Sequence, residues 1–385
     1  MEQISSCTVP PQASVCFQPK PVRNTQVVEM CDVREDTGSP VTKWIATDAD
    51  VDLSVVAHWI SSHQHRRRLL DVRDRTSFCV RHIAGSSNIP VEELQARKYE
   101  LPASASVGGL CVFADTKHHG RKAVEILAAS QRGIDYVVLE SPAFWDYLTD
   151  SAAHLVGTGP KSSRIWDPSP VLQEFLEPTG STAPSSRILI DPLTSNKFDD
   201  LCGDTTTEQP KCKHTLGVES NQDPGSAQNR RPLAIDLGCG CGRDAVYLAA
   251  RGWQVIAVDN RPKMLQRAVA LAVHESVEHC FQASETDLER EWPWDKEQAD
   301  LVVCIRFLVR SLFPKIADVV RPGGYIIYSH FLEGCGKPRS PKHFLFRGEL
   351  AQVFGPPLFE VLQDAETIIE DGRPVCCFLA RKHMA

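Results

Sequence analysis

The sequence contains no long apolar run and carries no excess of positive charge. None of its hydrophobic stretches reaches the roughly 20 residues that a membrane-spanning helix needs. The first residues also lack the apolar core of a signal peptide. Because the formal net charge is -7, we expect no general electrostatic attraction to a polyanion. These absences predict a cytoplasmic protein without a membrane partner, and they weigh against a nucleic-acid substrate.

The 14 cysteines include no C-x-x-C pair and show no regular spacing. Several lie inside apolar runs, and we interpret them as reduced, buried thiols. Cys239 and Cys241 lie in a glycine-rich turn, where packing or close backbone approach explains them better than a metal pair. Cys202, Cys212 and His214 form a weaker zinc candidate, since they are three scattered ligands in a polar segment. The sequence therefore predicts no bound metal.

Residues 233–248 are the most informative segment of the chain. The apolar run Leu233-Ala-Ile-Asp-Leu237 predicts a buried strand, and the residues after position 242 predict a helix. Between them, Gly238, Gly240 and Gly242 occupy alternate positions. Such a turn lets the backbone bend sharply and approach a ligand without a Cβ atom in the way. This pattern indicates a nucleotide or nucleoside site.

The spacing around these glycines distinguishes three kinds of site. A P-loop needs a Lys-Ser/Thr pair after its glycines, and none is present. The dinucleotide fingerprint needs a glycine where this chain has Arg243. Asp236, just before the turn, would repel a phosphate. Asp259 ends the next predicted strand, about 20 residues beyond the first glycine, where an acid can bind both ribose hydroxyls. The segment predicts a site for a cationic or zwitterionic nucleoside.

These residues resemble the first motif of class I S-adenosylmethionine-dependent methyltransferases. The resemblance implies that the turn holds the methionine part of the cofactor S-adenosyl-L-methionine. It matches Asp259 to the ribose-binding acid, with Asn260 beside it, and Asp287 and Leu288 to the pair that holds the adenine. The other residues that we assign to the cofactor on this resemblance are Asp236, Gly238, Cys239, Gly240, Gly242 and Cys304.

Further segments follow in the order of that family. Residues 299–304 match its fourth strand, residues 320–328 its helix-turn-strand segment, and residues 359–366 and 375–381 its last two strands. The resemblance implies an α/β domain with a Rossmann-like seven-stranded sheet whose last strand is antiparallel.

The first half of the chain shows a second α/β pattern. Strands are predicted near 68–73, 108–114 and 136–139, and helices near 51–63, 91–97 and 119–132. Asp71-Val-Arg73 and residues 82–90 resemble motifs of a rhodanese-like domain. That family carries a catalytic cysteine where this chain has Ala114 or, with a shift of one residue, Asp115. The resemblance therefore implies a small α/β domain without sulfurtransferase activity, in which Cys111 is structural.

The predicted organisation has five parts. Residues 1–42 are rich in Pro, Ser, Thr and Gln and are predicted to be disordered. The rhodanese-like domain follows over 44–155, a leading helix of the methyltransferase over 160–177, an inserted loop or linker over 178–230, and the methyltransferase domain over 231–385. The leading helix either helps to cover the cofactor or simply packs on the sheet.

Candidate catalytic residues follow the fourth and fifth strands of the second domain. In doubly wound sheets the ligands bind at the carboxyl ends of the strands. Arg306 or Arg310 could hold an anionic acceptor, or each could form a structural ion pair. His330 could act as a base or contact the substrate, or be a hydrogen-bonded structural histidine. Cys304 fits packing better than a role as nucleophile. We take His330 and Arg306 as the catalytic candidates.

Residues 305–313, 321–324 and 330–333 resemble the tellurite-resistance and thiopurine type of small-molecule methyltransferase. This resemblance implies a small acceptor, such as a thiol or a chalcogen anion. Two alternatives stay open. One is a methyltransferase for RNA or protein, whose rhodanese-like domain recruits the substrate, and the other is a non-catalytic binding protein.

Overall fold

The computed structural model describes residues 43–45, 54, 57, 58, 60, 68–102, 109–177, 230–369 and 371–384. The chain divides into two compact units. The first unit comprises Met1–Glu92 and Gly108–Ser163, and the second comprises Glu93–Val107 and Arg164–Ala385. The predictions of disorder over 1–42 and, except for its last residue, of a linker over 178–230 lie outside the described residues. So do Cys202, Cys212 and His214, the weak zinc candidate that the sequence analysis did not adopt, and much of the helix predicted over 51–63.

The first unit alternates short strands with helices. Its strands are β1 (Lys43–Ile45), β2 (Leu69–Asp71), β3 (His82–Ile83), β4 (Ser87–Asn88), β5 (Leu110–Ala114), β6 (Ile134–Leu139) and β7 (Val156–Gly157). Its helices are α1 (Arg75–Val80), α2 (Val91–Leu94), which extends into the second unit, α3 (Lys117–Ala129) and α4 (Pro142–Ala152). Five strands form a parallel sheet in the order β1-β6-β5-β2-β4, while β3 and β7 form a separate antiparallel pair.

Short polar side chains fix the helix starts in this unit. The side chains of Asp74, Thr116 and Ser141 accept hydrogen bonds from backbone N–H groups in the first turns of α1, α3 and α4. These bonds satisfy donors that have no partner within the helix. The prediction placed the start of α3 at residue 119, and the cap at Thr116 begins the helix at Lys117 instead.

A buried ion pair lies where β2 ends. The guanidinium of Arg73 donates to both carboxylate oxygens of Asp71 and, at 2.7 Å, to Glu140. It also lies over the rings of Phe113 and Trp145, at 4.6 and 5.6 Å from their centroids. Both members of the Asp71–Arg73 pair are almost fully buried, so removing either partner would leave an uncompensated charge. We therefore assign the Asp71-Val-Arg73 motif a structural role.

The second unit is built on one seven-stranded sheet. After helix α5 (Pro170–Leu176) come β8 (Leu233–Leu237), α6 (Arg243–Ala249), β9 (Gln254–Asp259), α7 (Pro262–His274), β10 (Phe281–Glu285), β11 (Ala299–Ile305), α8 (Phe313–Val319), β12 (Val320–Ser329), α9 (Glu349–Val353), β13 (Phe359–Ile368) and β14 (Pro374–Lys382). The strand order is β10-β9-β8-β11-β12-β14-β13. β14 runs antiparallel between β12 and β13, and the other six strands share one direction. The sheet predicted for this domain is the one observed.

Alternate residues of the central strands enter two different core clusters. Ile235 and Val302 belong to one cluster, whereas Ala234, Leu301 and Val303 belong to the other. Because side chains alternate across a strand, the two clusters lie on opposite faces of the sheet. A sheet covered on both faces explains why β8 and β11 are nearly continuous apolar runs.

Two segments outside the sheet also pack within the second unit. The Tyr99 hydroxyl donates to the Arg267 carbonyl at 3.3 Å, so residues 93–102 belong here although the prediction placed them in the first domain. Helix α5 packs on β12 and β14, with Phe175 5.2 Å from Tyr325 between ring centroids. The leading helix thus packs on the sheet, one of its two predicted roles. No helix among the described residues is long and apolar enough to cross a membrane.

Candidate functional site

The glycine turn lies at the carboxyl edge of the sheet, between β8 and α6. Strands β8, β9, β11 and β12 are mutually parallel, so their carboxyl ends meet at this edge. Gly238, Gly240 and Gly242 all have positive φ angles, of 71°, 56° and 78°. Most side chains disfavour this backbone region. The alternate glycines of the sequence are therefore required by the path of the chain.

The three glycines leave very different amounts of space. A Cβ at Gly242 would lie 2.6 Å from the Cβ of Ala268, so this glycine lets α6 approach α7. A Cβ at Gly238 would overlap the ring of Phe307. For a Cβ at Gly240, the nearest described atom outside the adjacent residues would be Nη2 of Arg261, at 3.9 Å. Gly240 is thus the glycine of the turn with room for a ligand beside its backbone.

Asp236 is a buried carboxyl group with one free oxygen. It lies in β8, only 2% exposed, and its Oδ2 has no hydrogen-bond partner among the described residues. Burial, together with the nearby Asp244 and Asp259, raises the pKa of Asp236 well above its usual value. An unpartnered buried oxygen is costly, and a cationic donor bound at the turn would satisfy it. The amino group of S-adenosyl-L-methionine is a donor of this kind, and its sulfonium would add positive charge without donating a hydrogen bond.

Asp259 ends β9 beside the turn. Its carboxylate accepts hydrogen bonds from the backbone N–H of Gly240 at 3.0 Å and of Arg261 at 2.9 Å. The guanidinium of Arg261 adds contacts of 2.9 and 3.1 Å. Although burial acts against ionisation, these bonds hold the pKa of Asp259 below its usual value. The Asp259 carboxylate is therefore ionised, as the predicted ribose contact requires, and Arg261 already occupies part of it.

The residues predicted to hold the adenine follow the next strand. Asp287 and Leu288 come just after β10, which pairs with β9 so that Glu285 lies opposite Asp259. Leu288 is buried, and the Asp287 carboxylate accepts a bond from the N–H of Glu289 and contacts Arg290 at 3.3 Å. The exposed Asn260 directly follows Asp259. The chain order thus brings the predicted ribose and adenine residues to one corner of the sheet.

Two cysteines near the turn, Cys239 and Cys304, are neutral thiols. Burial raises the pKa of both Cys239 and Cys304 far above the usual range of a thiol. Cys304 is fully buried in the core, which agrees with packing and leaves no surface for the cofactor contact that we had assigned to it. Cys241 contacts the sulfur of Met264 at 3.5 Å. Among the described residues, no group of three or more His, Cys, Asp or Glu side chains is placed to hold a metal ion.

The two arginines after β11 differ sharply in their surroundings. Arg310 forms an ion pair with Glu349 and donates to the carbonyls of Pro341 and Phe344, both at 2.8 Å. Arg310 is therefore a structural residue, which is one of the two roles that the sequence analysis allowed for it. Arg306 lies over the Phe331 ring at 4.3 Å and has no carboxylate at ion-pair distance among the described residues. Its cation is therefore available to a ligand.

His330 follows β12 and is held in one tautomer. Its Nε2 lies 3.1 Å from the carbonyl oxygen of His343, which can only accept, so Nε2 carries the proton. The lone pair is then on the buried Nδ1, which has no partner among the described residues. Burial is the largest of the effects that lower the pKa of His330 to about 4. The side chain is neutral at pH 7 and is a weak base.

Three neighbours of these predicted residues were not found from the sequence. Arg261 contacts Asp259, Phe307 contacts the turn, and Arg373 lies 4.0 Å from the Phe331 centroid. The sequence analysis placed Arg373 only between the last two predicted strands. Their proximity to Phe331 follows from the position of β14 beside β12, which no local pattern reveals.

Comparison with known proteins agrees with this geometry. Residues 234–324 match a family model described as a methyltransferase domain. An uncharacterized protein of Schizosaccharomyces pombe, UNK4.09, is 24% identical over 357 residues, which cover 82% of this chain and 93% of the yeast protein. The similarity therefore extends over both units.

Two further relatives each match about two fifths of the chain. A ubiquinone biosynthesis O-methyltransferase of Alkalilimnicola ehrlichii is 32% identical over 161 residues, or 39% of this chain and 61% of that protein. A solved S-adenosylmethionine-dependent methyltransferase of Methanosarcina mazei is 16% identical, with a TM-score of 0.35, over 41% of this chain and 95% of its own. The matched domain contains the turn, Asp236 and Asp259. The second unit is therefore a class I S-adenosylmethionine-dependent methyltransferase domain, and S-adenosyl-L-methionine is its cofactor.

Proposed function

We propose that this methyltransferase acts on a small acceptor with a thiol or chalcogen nucleophile. The observation that carries the proposal is Arg306, a cation with no carboxylate at ion-pair distance among the described residues, at the carboxyl end of β11, the strand next to the one that bears Asp236. A lone guanidinium at this edge favours a small anionic partner. Since the second unit is a methyltransferase domain, an enzyme explains it better than the alternative of a non-catalytic binding protein.

The weak basicity of His330 supports a nucleophile that ionises by itself. With a pKa of about 4, His330 is poorly matched to deprotonate an alcohol at neutral pH. A free thiol has a pKa near 8.5, so a small fraction is already thiolate at pH 7. Such an acceptor needs positioning more than base catalysis.

In this proposal the residues of the chain hold and align the reactants. Asp236 faces the positive charge of the cofactor, Asp259 accepts from the ribose, and Arg306 orients the acceptor. Bound S-adenosyl-L-methionine supplies a methyl group on a positively charged sulfur. The acceptor thiol would lose its proton to water and take up, through its sulfur lone pair, the methyl group that the cofactor supplies, leaving the demethylated cofactor as the neutral leaving group. One proton is released and charge is conserved.

We further propose that the first unit is a rhodanese-like domain without sulfurtransferase activity. The parallel α/β sheet supports the resemblance, and Ala114 at the end of β5 supports the loss of activity. Burial raises the pKa of Cys111 to about 12, so this cysteine is a poor sulfur carrier. The nine described cysteines are all free, which supports a reducing, cytoplasmic compartment.

A methyl-transfer assay with labelled cofactor tests the acceptor class. The panel contains small thiols, chalcogen oxyanions, a phenol, total transfer RNA and a mixed protein extract. We expect label in the thiols or chalcogen oxyanions. Label in the phenol alone would replace the proposal with an oxygen acceptor, and label in RNA or protein alone would support a macromolecular substrate.

A further inference from the structure

Three side chains from three neighbouring strands meet at the acceptor edge of the sheet. Arg306 follows β11, Phe331 follows β12, and Arg373 directly precedes β14. Because β14 is antiparallel to β12, its first residues lie where β12 ends. The guanidinium carbons of Arg306 and Arg373 lie 4.3 and 4.0 Å from the centroid of the same Phe331 ring.

Backbone pairing fixes this arrangement. Phe331 forms an isolated antiparallel bridge with Val375, and the N–H of Leu332 donates to the carbonyl of Pro374 at 3.0 Å. The N–H of Arg306 donates to the carbonyl of Ser329 at 2.8 Å. The main chain therefore holds the two arginines next to Phe331, and attraction of the cations to its ring adds to this.

The charges around Phe331 do not cancel. Asp371 contacts Arg373 at 2.5 Å and is its ion-pair partner. Arg306 has no carboxylate at ion-pair distance among the described residues, so the two arginines and Asp371 together carry one net positive charge. Burial and repulsion by Arg373 lower the pKa of Arg306, and the attraction of Asp371 only partly offsets them. An anion bound there would relieve this repulsion.

The backbone of Arg306 is also strained. Its φ angle is 59°, a left-handed conformation that is uncommon for residues other than glycine, asparagine and aspartate. Strained residues of this kind cluster at ligand-binding and active sites. The charge and the backbone conformation of Arg306 therefore both indicate a ligand contact at this residue, which lies at the same edge of the sheet as the predicted cofactor residues.

We propose that Arg306 and Arg373, aligned by Phe331, bind a carboxylate on the methyl acceptor, so that the substrate is a mercapto acid or its chalcogen analogue. This inference rests on the proposed function and specifies its substrate class. A carboxylate offers two oxygens, and two guanidinium groups can each donate to it. The nucleophile is a different atom of the same molecule, and the carboxylate sets its distance from the cofactor.

Two matched thiols test the proposal. 3-Mercaptopropionate and its amide have nearly the same shape and differ in charge. We expect the wild-type protein to methylate the acid with a kcat/KM at least tenfold above that for the amide. Arg306→Asn, which removes the cation but tolerates the left-handed backbone, should lower kcat/KM for the acid by about 10- to 100-fold and leave the amide within about threefold.

Further variants separate charge from folding. Arg306→Lys keeps a cation and should retain part of the preference for the acid, and Arg373→Gln should weaken it. Lys296→Gln is the control, because Lys296 is an exposed cation of the same unit that pairs with Asp318. An equal loss for acid and amide in Arg306→Asn, or no loss for either, would overturn the inference.

A binding measurement makes the result independent of turnover. Calorimetry with 3-(methylthio)propionate, on the full chain saturated with S-adenosylhomocysteine, should show binding that its amide lacks and that Arg306→Asn abolishes. If this charge-dependent binding occurs without methylation of any thiol, the thiol chemistry is wrong and the anion site stands. If acid and amide bind alike, or neither binds, the anion site is wrong even where thiols are methylated.

Discussion

The ribose contact that we predict for Asp259 can be tested quantitatively. Its carboxylate accepts from Gly240 and three times from Arg261, at distances from 2.9 to 3.1 Å. Asp259→Asn keeps one acceptor oxygen and loses the charge. Since a hydrogen bond to a charged group contributes roughly 1.5–3 kcal/mol, we expect the affinity for S-adenosylhomocysteine to fall by about 2–3 kcal/mol, or roughly 30- to 150-fold.

Arg261→Ala is the matched comparison for this variant. The Arg261 side chain is 60% exposed, and exposed ion pairs contribute about 0.2–1 kcal/mol. Freeing Asp259 from this arginine should therefore change the affinity by less than about fivefold. Isothermal titration calorimetry of both variants measures the contrast. A normal affinity for Asp259→Asn, or a loss for Arg261→Ala as large as for Asp259→Asn, would refute the assignment of Asp259 to the ribose.

Three further predictions concern packing, titration and sulfur chemistry. Gly242→Ala should destabilise the second unit by about 2–5 kcal/mol, because it combines left-handed strain with overlap at Ala268. Gly252→Ala, at a position with a similar φ angle and open space, should cost only about 1–2 kcal/mol. The two variants are compared by thermal unfolding, using the transition whose midpoint rises when S-adenosylhomocysteine is added. The pKa of His330 is lowered from 6.5 to about 4, so the unfolded state takes up a proton at this histidine first as the pH falls. The free energy of unfolding of the wild type, measured by urea titration, should therefore fall by about 3 kcal/mol more than that of His330→Leu between pH 6.5 and 4. Equal pH profiles for the two proteins would contradict this. The full chain should show no thiosulfate sulfurtransferase activity, and activity that Cys111→Ser removes would contradict our alignment of the first unit.

The sequence could predict those features that depend on local pattern. The apolar runs of β8 and β11 and the alternate glycines between β8 and α6 are encoded within a few residues of each other. The acids Asp236 and Asp259 could be placed because chain direction in parallel strands brings strand ends to one edge. The position of these predicted cofactor residues at one edge of the sheet therefore follows from the sequence.

The acceptor part depends on contacts between distant segments. Arg306 and Arg310 look alike in the sequence, and only the approach of Glu349 makes one of them structural. Arg373 reaches Phe331 because β14 inserts between β12 and β13, and this strand order depends on the packing of the whole sheet. The same holds for Tyr99, which packs within the second unit although it lies among residues of the first half. Tertiary packing decides such placements.

The most direct test of the account is methyl transfer from labelled S-adenosyl-L-methionine to 3-mercaptopropionate by the full chain. We expect a product heavier by one methylene unit, formed by the wild type and strongly reduced in Asp259→Asn at limiting cofactor. A wild-type protein that binds S-adenosylhomocysteine but methylates none of the small acceptors would contradict the proposed function.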